Sequence, residues 1–254
     1  MAVQIQSIER AAAVLRLLTG HPRPRALAEL AAELKLPKGT VYGILRTLQT
    51  VGFVEQDAES RRYQVGAALL HIGSSYLNGS ELRQRALGCA YTLAMQTGES
   101  VRIGTLHENL ALIVHHIPGA EEHVPMPEVG SLMPLHATAL GKALLAYHVL
   151  PAGKIETPAL TKCTPVTIID PDRLRDELTR ICERGWASDV SECLPGVASI
   201  AAPIEGHDGA VVGAIAISGP TARICEDGSP RLSSVRCVIE SARGISLQLG
   251  GRRW

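Results

Sequence analysis

Over the first 65 residues, apolar side chains recur at three- to four-residue intervals, in three short runs. Ile8, Ala11, Ala12, Leu15 and Leu18 share one face of a helix predicted over 8–18, with Ser7 placed to cap it. Gly20-His21-Pro22-Arg23-Pro24 breaks that run, because proline lacks the N–H a helix needs. Leu27, Leu30, Ala31 and Leu34 make a second stripe, and Lys35-Leu36-Pro37 a tight turn. Val41, Ile44, Leu45 and Leu48 make a third, over 38–50. After Gly52 the period drops from helical to alternating. Phe53-Val54, the polar turn Glu55 to Ser60, and Arg61-Arg62-Tyr63-Gln64-Val65 read as a two-stranded wing. Three helices and a hairpin in this order predict a winged helix-turn-helix over 1–66.

The outer face of the third helix is small, hydroxylated and cationic. Lys38, Gly39 and Thr40 lie in its first turn, and Tyr42, Gly43, Arg46 and Thr50 point away from the inner stripe. Such a face suits a helix in the DNA major groove, with Thr40, Tyr42 and Arg46 at base edges and Lys38, Arg61 and Arg62 on phosphates. The same pattern also fits a protein-interaction module with a solvated helix face.

Beyond the wing, a helix is expected over 67–76 and another over 80–96, with Leu82, Leu87, Ala90, Leu93 and Ala94 apolar. Strands over 100–106 and 110–117 flank the turn His107-Glu108-Asn109. A loop then feeds a helix starting near Thr138, and another helix runs from Asp172 to Arg184. Strands over 197–204 and 210–217 flank His207-Asp208-Gly209, and a last helix covers 230–249. Strands interleaved with helices predict an α+β domain around an antiparallel sheet.

Composition narrows the function classes. Hydrophobic residues make up 46% of the 254 positions, ample for a packed core, without an apolar run long enough to span a membrane. Met1 to Arg10 lacks the pattern of a secretory signal, so a cytoplasmic location is expected. Nine basic against six acidic residues up to Ser80 give that third a mild positive excess. Six cysteines without a CxxC pair read as free, mostly buried thiols. His115-His116 would point to opposite faces of a strand, which disfavours a shared metal ion. Gly141-Lys142 lacks the spacing of a phosphate-binding loop. No GxSxG elbow or HExxH helix is present, and Asp189, Ser218 and His136 make a hydrolase triad only on paper. No enzyme, cofactor or metal is expected.

Several segments resemble the IclR family of regulators. They include Ile5-Gln6-Ser7-Ile8-Glu9-Arg10-Ala11, Leu36 to Leu48, Gly52-Phe53-Val54 and Arg62 to Gly66. Further on come His136-Ala137-Thr138-Ala139-Leu140-Gly141-Lys142, Gly185-Trp186-Ala187, Gly196 to Ile204 and Ser218-Gly219-Pro220. The resemblance implies a linker helix over 67–80 and a GAF-like effector-binding and oligomerisation domain over 81–254. It implies a double-stranded DNA operator, a homodimer or homotetramer, and a small organic effector. The effector positions it implies are Met133, Ala139, Leu140, Asp189, Val197, Ser199, Ala216 and Ser218.

On chemistry, the Ala139 and Leu140 amides at a helix start suit an anion, Asp189 and Ser218 suit hydroxyls, and Met133 and Val197 give apolar wall. Gly43 stands where many members have a bulky residue, Ala216 where some have serine, and Ser199 where some have cysteine. Glu55-Gln56-Asp57, Glu99-Ser100-Val101 and Val114-His115-His116 resemble regulators of actinobacterial glycerol operons. That implies a repressor sensing glycerol or glycerol 3-phosphate, with Arg102 or a protonated His115 as the phosphate's cation. An activator sensing a hydroxy or aromatic carboxylic acid, and an architectural DNA-binding protein without a ligand, are the alternatives.

Overall fold

The structure is a computed structural model that describes residues 5–20, 23–120, 127–149 and 160–251. The chain divides into two compact units, Met1–Gly79 and Ser80–Trp254.

The first unit contains α1 (Gln6–Thr19), α2 (Leu27–Leu34), α3 (Lys38–Thr50), β1 (Val54–Gln56), β2 (Tyr63–Val65) and α4 (Ala67–Gly79). Val14, Leu18, Leu30, Ala31, Val41, Leu45, Leu48, Val54 and Tyr63 form its core. The expected stripe of α1 is rotated: Val14 is buried, while Ile8 is 64% exposed. Ser7 caps nothing. It lies inside the helix, whose N-cap is Ile5 with no side-chain cap. Of the expected break after α1, His21 and Pro22 lie outside the described residues.

Helix α2 closes on Lys35, left-handed at φ 53°. The Leu36 amide donates to Ala31 O at 3.1 Å, so the chain reverses within two residues and enters α3 at Pro37. Strands β1 and β2 pair antiparallel. Arg25 adds a bridge to their outer side, exchanging both backbone bonds with Tyr63 at 2.7 and 2.8 Å. Helix α4 runs three residues beyond the expected Tyr76, and none of its residues is buried.

The second unit begins with α5 (Glu81–Thr97), capped by the Ser80 hydroxyl. There follow β3 (Ser100–His107), β4 (Leu110–Ile117), β5 (Leu132–Pro134), α6 (Ala139–Val149) and α7 (Pro171–Arg184). Next come β6 (Ala187–Val190), β7 (Val197–Glu205), β8 (Val211–Pro220) and the one-turn α8 (Thr221–Ile224). The pair β9 (Cys225–Glu226) and β10 (Ser229–Pro230) leads into α9 (Leu232–Gln248). The main sheet is antiparallel, in the order β5-β4-β3-β8-β7-β6.

Alternation along these strands divides their side chains between two faces. Ala187, Ala201, Ala214 and Ala216 face α6 and α7, packing with Leu140, Leu144, Leu174, Leu178 and Ile181. The intervening positions Val101, Ile103, Ile200, Ile204, Ile215 and Ile217 are buried toward the opposite face. There α5 and α9 lie: Leu82 of α5 abuts Gly213, and the Ser246 hydroxyl of α9 accepts from the Glu205 amide at 3.0 Å. Small residues let α6 lie close to its neighbours. A methyl on Gly141 would sit 2.5 Å from Leu135 Cα and 2.6 Å from its carbonyl oxygen.

Several elements depart from expectation. Leu87 is 40% exposed and Ala86 takes its place in the core, giving α5 the stripe Leu82, Ala86, Ala90 and Leu93. The short strands β5 and β6, with α8, β9 and β10, were not anticipated, and β8 continues through Ser218 to Pro220. All six cysteines are free, but only Cys225 is buried and Cys163 is exposed, which corrects the expectation of mostly buried thiols.

Candidate nucleic-acid interface and ligand cavity

The inner stripe of α3 is held by the core of the first unit, so its outer face is fixed in direction. Lys38, Gly39, Tyr42, Gly43 and Arg46 are exposed on it, and Thr40 is half-buried. A methyl added at Gly39 or Gly43 would meet nothing within 4 Å, so neither glycine is needed for packing within the chain. Thr47 and Thr50 return their hydroxyls to their own helix, donating to Gly43 O and Arg46 O at 3.0 Å. They are thus occupied inside α3, unlike the cations beside them.

Asp57 shapes the wing tip by accepting from the Ser60 amide at 2.7 Å and hydroxyl at 2.6 Å. Arg61 follows at φ 58°, exposed at the turn. Arg62 behaves differently from its neighbour. Its guanidinium donates to Glu29 Oε1 and to Pro24 O, both at 3.1 Å, tying the wing to α2. Glu29 also accepts from Arg25 Nε at 3.1 Å, and Arg25 reaches Glu33 at 2.6 Å. The paired arginines therefore divide their work: Arg61 is presented outward, and Arg62 anchors the wing.

The second unit holds a cavity of about 30 Å³ between the sheet and the start of α6, room for about two waters. Met133, Ala139, Leu140, Asp189, Val197, Ser199, Ala216 and Ser218 all line it, together with Arg102, Pro127, Thr138, Cys193 and Leu194. Sheet register brings the polar residues together. Asp189 on β6 lies opposite Ser199 on β7, which lies opposite Ser218 on β8. The Ser218 hydroxyl donates to that of Ser199 at 3.0 Å. Arg102 on β3 lies opposite Ala216, two residues along from Ser218.

Asp189 is 3% exposed, and its Oδ2 accepts from the Ala139 amide at 3.0 Å. Burial pushes its carboxyl up to about 6, while the Ala139 bond and the Lys142 ammonium pull the other way. The expected anion site at the helix start is therefore partly filled from within the chain. Asp189 holds the Ala139 amide, and the Thr138 hydroxyl accepts from the Gly141 amide at 3.0 Å. Behind it, the buried Lys142 donates to Glu192 at 2.6 Å.

Arg102 is 2% exposed, with Nε donating to Pro127 O at 2.9 Å and Nη2 lying 3.2 Å from His116 Nε2. His115 does not serve as a second cation there. It pairs with Ile103, on the face toward α5. Burial, Arg83 and His116 lower its pKa, favouring the neutral ring. Among the described residues, no three His, Cys, Asp or Glu side chains cluster to hold a metal ion. Among them, too, no helix is long and apolar enough to cross a membrane.

Arg102 apart, the liners outside the positions that the resemblance implies are Pro127, Thr138, Cys193 and Leu194. Thr138 adjoins a marked feature, the expected helix start, while Cys193 is one of six cysteines with no pattern to single it out. Pro127 and Leu194 stand in irregular backbone without a pattern to flag them.

A helix-turn-helix with an exposed cationic helix, on a chain whose other unit holds a cavity with Asp189, Ser199, Ser218 and Arg102 in its wall, defines a DNA-binding regulator with room for a small ligand. Residues 7–58 match the IclR helix-turn-helix domain, and residues 74–247 match the bacterial transcriptional regulator IclR C-terminal family. The chain belongs to the IclR family: it is a DNA-binding transcriptional regulator and not an enzyme. It is 46% identical to the glycerol operon regulatory protein of Streptomyces coelicolor and 42% to that of Streptomyces griseus, each over the full length of both chains. The crystal structure of an IclR transcriptional regulator from Alicyclobacillus acidocaldarius superposes with a TM-score of 0.82 at 27% identity, over 98% of this chain and 100% of that one.

Proposed function

We propose that this regulator represses a catabolic operon from the cytoplasm and releases it when glycerol or glycerol 3-phosphate enters the cavity beside α6. The observation that carries this reading is the polar rung Asp189–Ser199–Ser218 facing a buried Arg102 in one enclosure. A buried carboxylate and two hydroxyls suit a polyol's hydroxyl groups, and a buried guanidinium suits a phosphate. The names of the two Streptomyces relatives point the same way.

The DNA reading rests on α3 and the wing. Tyr42, Thr40 and Arg46 read or position base edges, Gly39 lets the helix approach closely, and Lys38 and Arg61 hold phosphates. Arg62 contributes by holding the wing through Nη1, with the other edge of its half-exposed guanidinium left for a phosphate. Two such units on a symmetric oligomer match a palindromic operator. The unburied α4, with Leu70 76% and Tyr76 58% exposed, supports self-association into a dimer or tetramer. The effector alters DNA affinity by as much as it prefers one state of the regulator over the other.

The test is a gel shift on DNA upstream of the regulator's own gene, at fixed salt, with and without glycerol and glycerol 3-phosphate. A specific shift that either compound weakens is expected. A specific shift that ignores both would discard these effectors and direct the search to hydroxy and aromatic acids, while a shift that they strengthen would reverse the sign.

A further inference from the structure

Two threonines clamp the wall of the cavity to a neighbouring turn. The Thr164 hydroxyl bonds Ser191 O at 2.8 Å, and the Thr167 hydroxyl donates to Glu192 O at 2.7 Å. Cys163 immediately precedes this clamp on one strand of the chain, and Cys193 immediately follows it on the other. The clamp holds the segments that carry the two cysteines side by side, and the Cys163 thiol donates to Thr161 O at 3.7 Å. Cys163 is exposed and Cys193 half-buried. Cys193 lines the cavity and also the open depression of about 430 Å³ outside it; Pro127, Met133 and Leu194 are the other residues the two share. The pair thus stands where the cavity meets the surface.

We propose that Cys163 and Cys193 are a reversible dithiol–disulfide site, oxidised by peroxide, set in the wall of the ligand cavity. The two thiols differ in reactivity. Burial, with Asp189 and Cys163 nearby, pushes the Cys193 thiol up to about 12, so it stays protonated. Cys163 meets oxidant first, because it is the exposed thiol.

The Cys163 thiolate attacks hydrogen peroxide. An S–O bond forms, the O–O bond breaks, and hydroxide leaves and takes up the thiol's proton, giving a sulfenic acid and water. As the Cys193 proton passes to the sulfenic oxygen, the Cys193 sulfur attacks the Cys163 sulfur as the thiolate. The S–S bond forms, the S–O bond breaks, and the departing hydroxide leaves as water with the Cys193 proton. One peroxide is reduced, two thiols are oxidised, and two waters result. Low-molecular-weight thiols reverse the bond by exchange. The disulfide fastens Cys193 to the turn at 163–167 and so ties the cavity wall that the threonines already hold. Coupling to the effector rests on the ligand reading above; formation of the bond does not.

The test uses the full chain, reduced and then treated with one to a few equivalents of hydrogen peroxide at slightly alkaline pH, alkylated, digested with trypsin and weighed. Four arginines separate the two cysteines, so they fall on different peptides. The expected product is one cross-linked peptide pair, lighter by two hydrogens than its reduced parts, that dithiothreitol removes and that is absent from Cys163→Ser. With the alkylation done in denaturant, Cys89, Cys182, Cys225 and Cys237 should be fully modified. In Cys193→Ser, Cys163 should be trapped as a sulfenic acid by dimedone. The proposal is overturned if Cys193 in the parent chain stays fully alkylatable while Cys163 goes on to sulfinic acid or pairs between chains. The parent protein alone decides this, whether or not Cys193→Ser folds.

Discussion

Asp189 concentrates the chemistry of the second unit in one side chain. Its folded pKa of about 6 lies above the ordinary 3.8, so folding favours its protonated form. The stability it confers is fully present below about pH 3.8 and is lost as pH rises through about 6. Asp189→Asn keeps an oxygen for the Ala139 amide but cannot ionise. Chemical denaturation should find the variant more stable than its parent at pH 7.5, by up to about 3 kcal/mol, with the difference closing toward pH 4. Asp189→Ala should bind operator normally and lose its effector response. A normal response in a gel shift would remove Asp189 from effector recognition. On the DNA side, Arg46→Ala should weaken operator binding by roughly 1–3 kcal/mol in fluorescence anisotropy with an unchanged circular dichroism spectrum. Binding equal to the parent's would refute the role given to α3.

At the scale of elements, two glycines on helices should respond in opposite ways. Gly43 faces open space, so Gly43→Ala should stabilise α3 by roughly 0.5–1 kcal/mol and raise the melting temperature. Gly141 lies against the backbone of Leu135, and Gly141→Ala should destabilise the second unit by about 1–3 kcal/mol, read in the same melts. Periodicity could not distinguish them, because each is a glycine in a helical run and only the neighbours differ. The same limit governs the rest of the fold. α3 was legible to its end residues because its stripe is bounded by Pro37 and Gly52. The stripe of α1 was misread because Ile8 is apolar yet faces outward. β5 and β6 are three and four residues long, too short to establish an alternation. The cavity liners were legible through the family resemblance. That Asp189 occupies the start of α6 depends on strand register, which no local pattern encodes.

At the scale of the whole molecule, association and ligand entry are the properties that follow. The proposed self-association through α4 predicts a dimer or tetramer in sedimentation, and Leu70→Asp combined with Tyr76→Asp should shift it toward monomer without unfolding either unit. Retention of the parent's sedimentation coefficient would move the interface elsewhere. The cavity sets a different constraint. Its about 30 Å³ accommodates about two water oxygens, whereas glycerol has six heavy atoms. A ligand of that size either extends from the cavity into the depression that Cys193 and Leu194 also line, or displaces that wall. Where such opening comes first, the apparent dissociation constant exceeds the intrinsic one by the reciprocal of the open fraction. The observed rate of association should then level off at the opening rate as ligand concentration rises, so that the regulator's response time is set by its own wall rather than by how much effector is supplied.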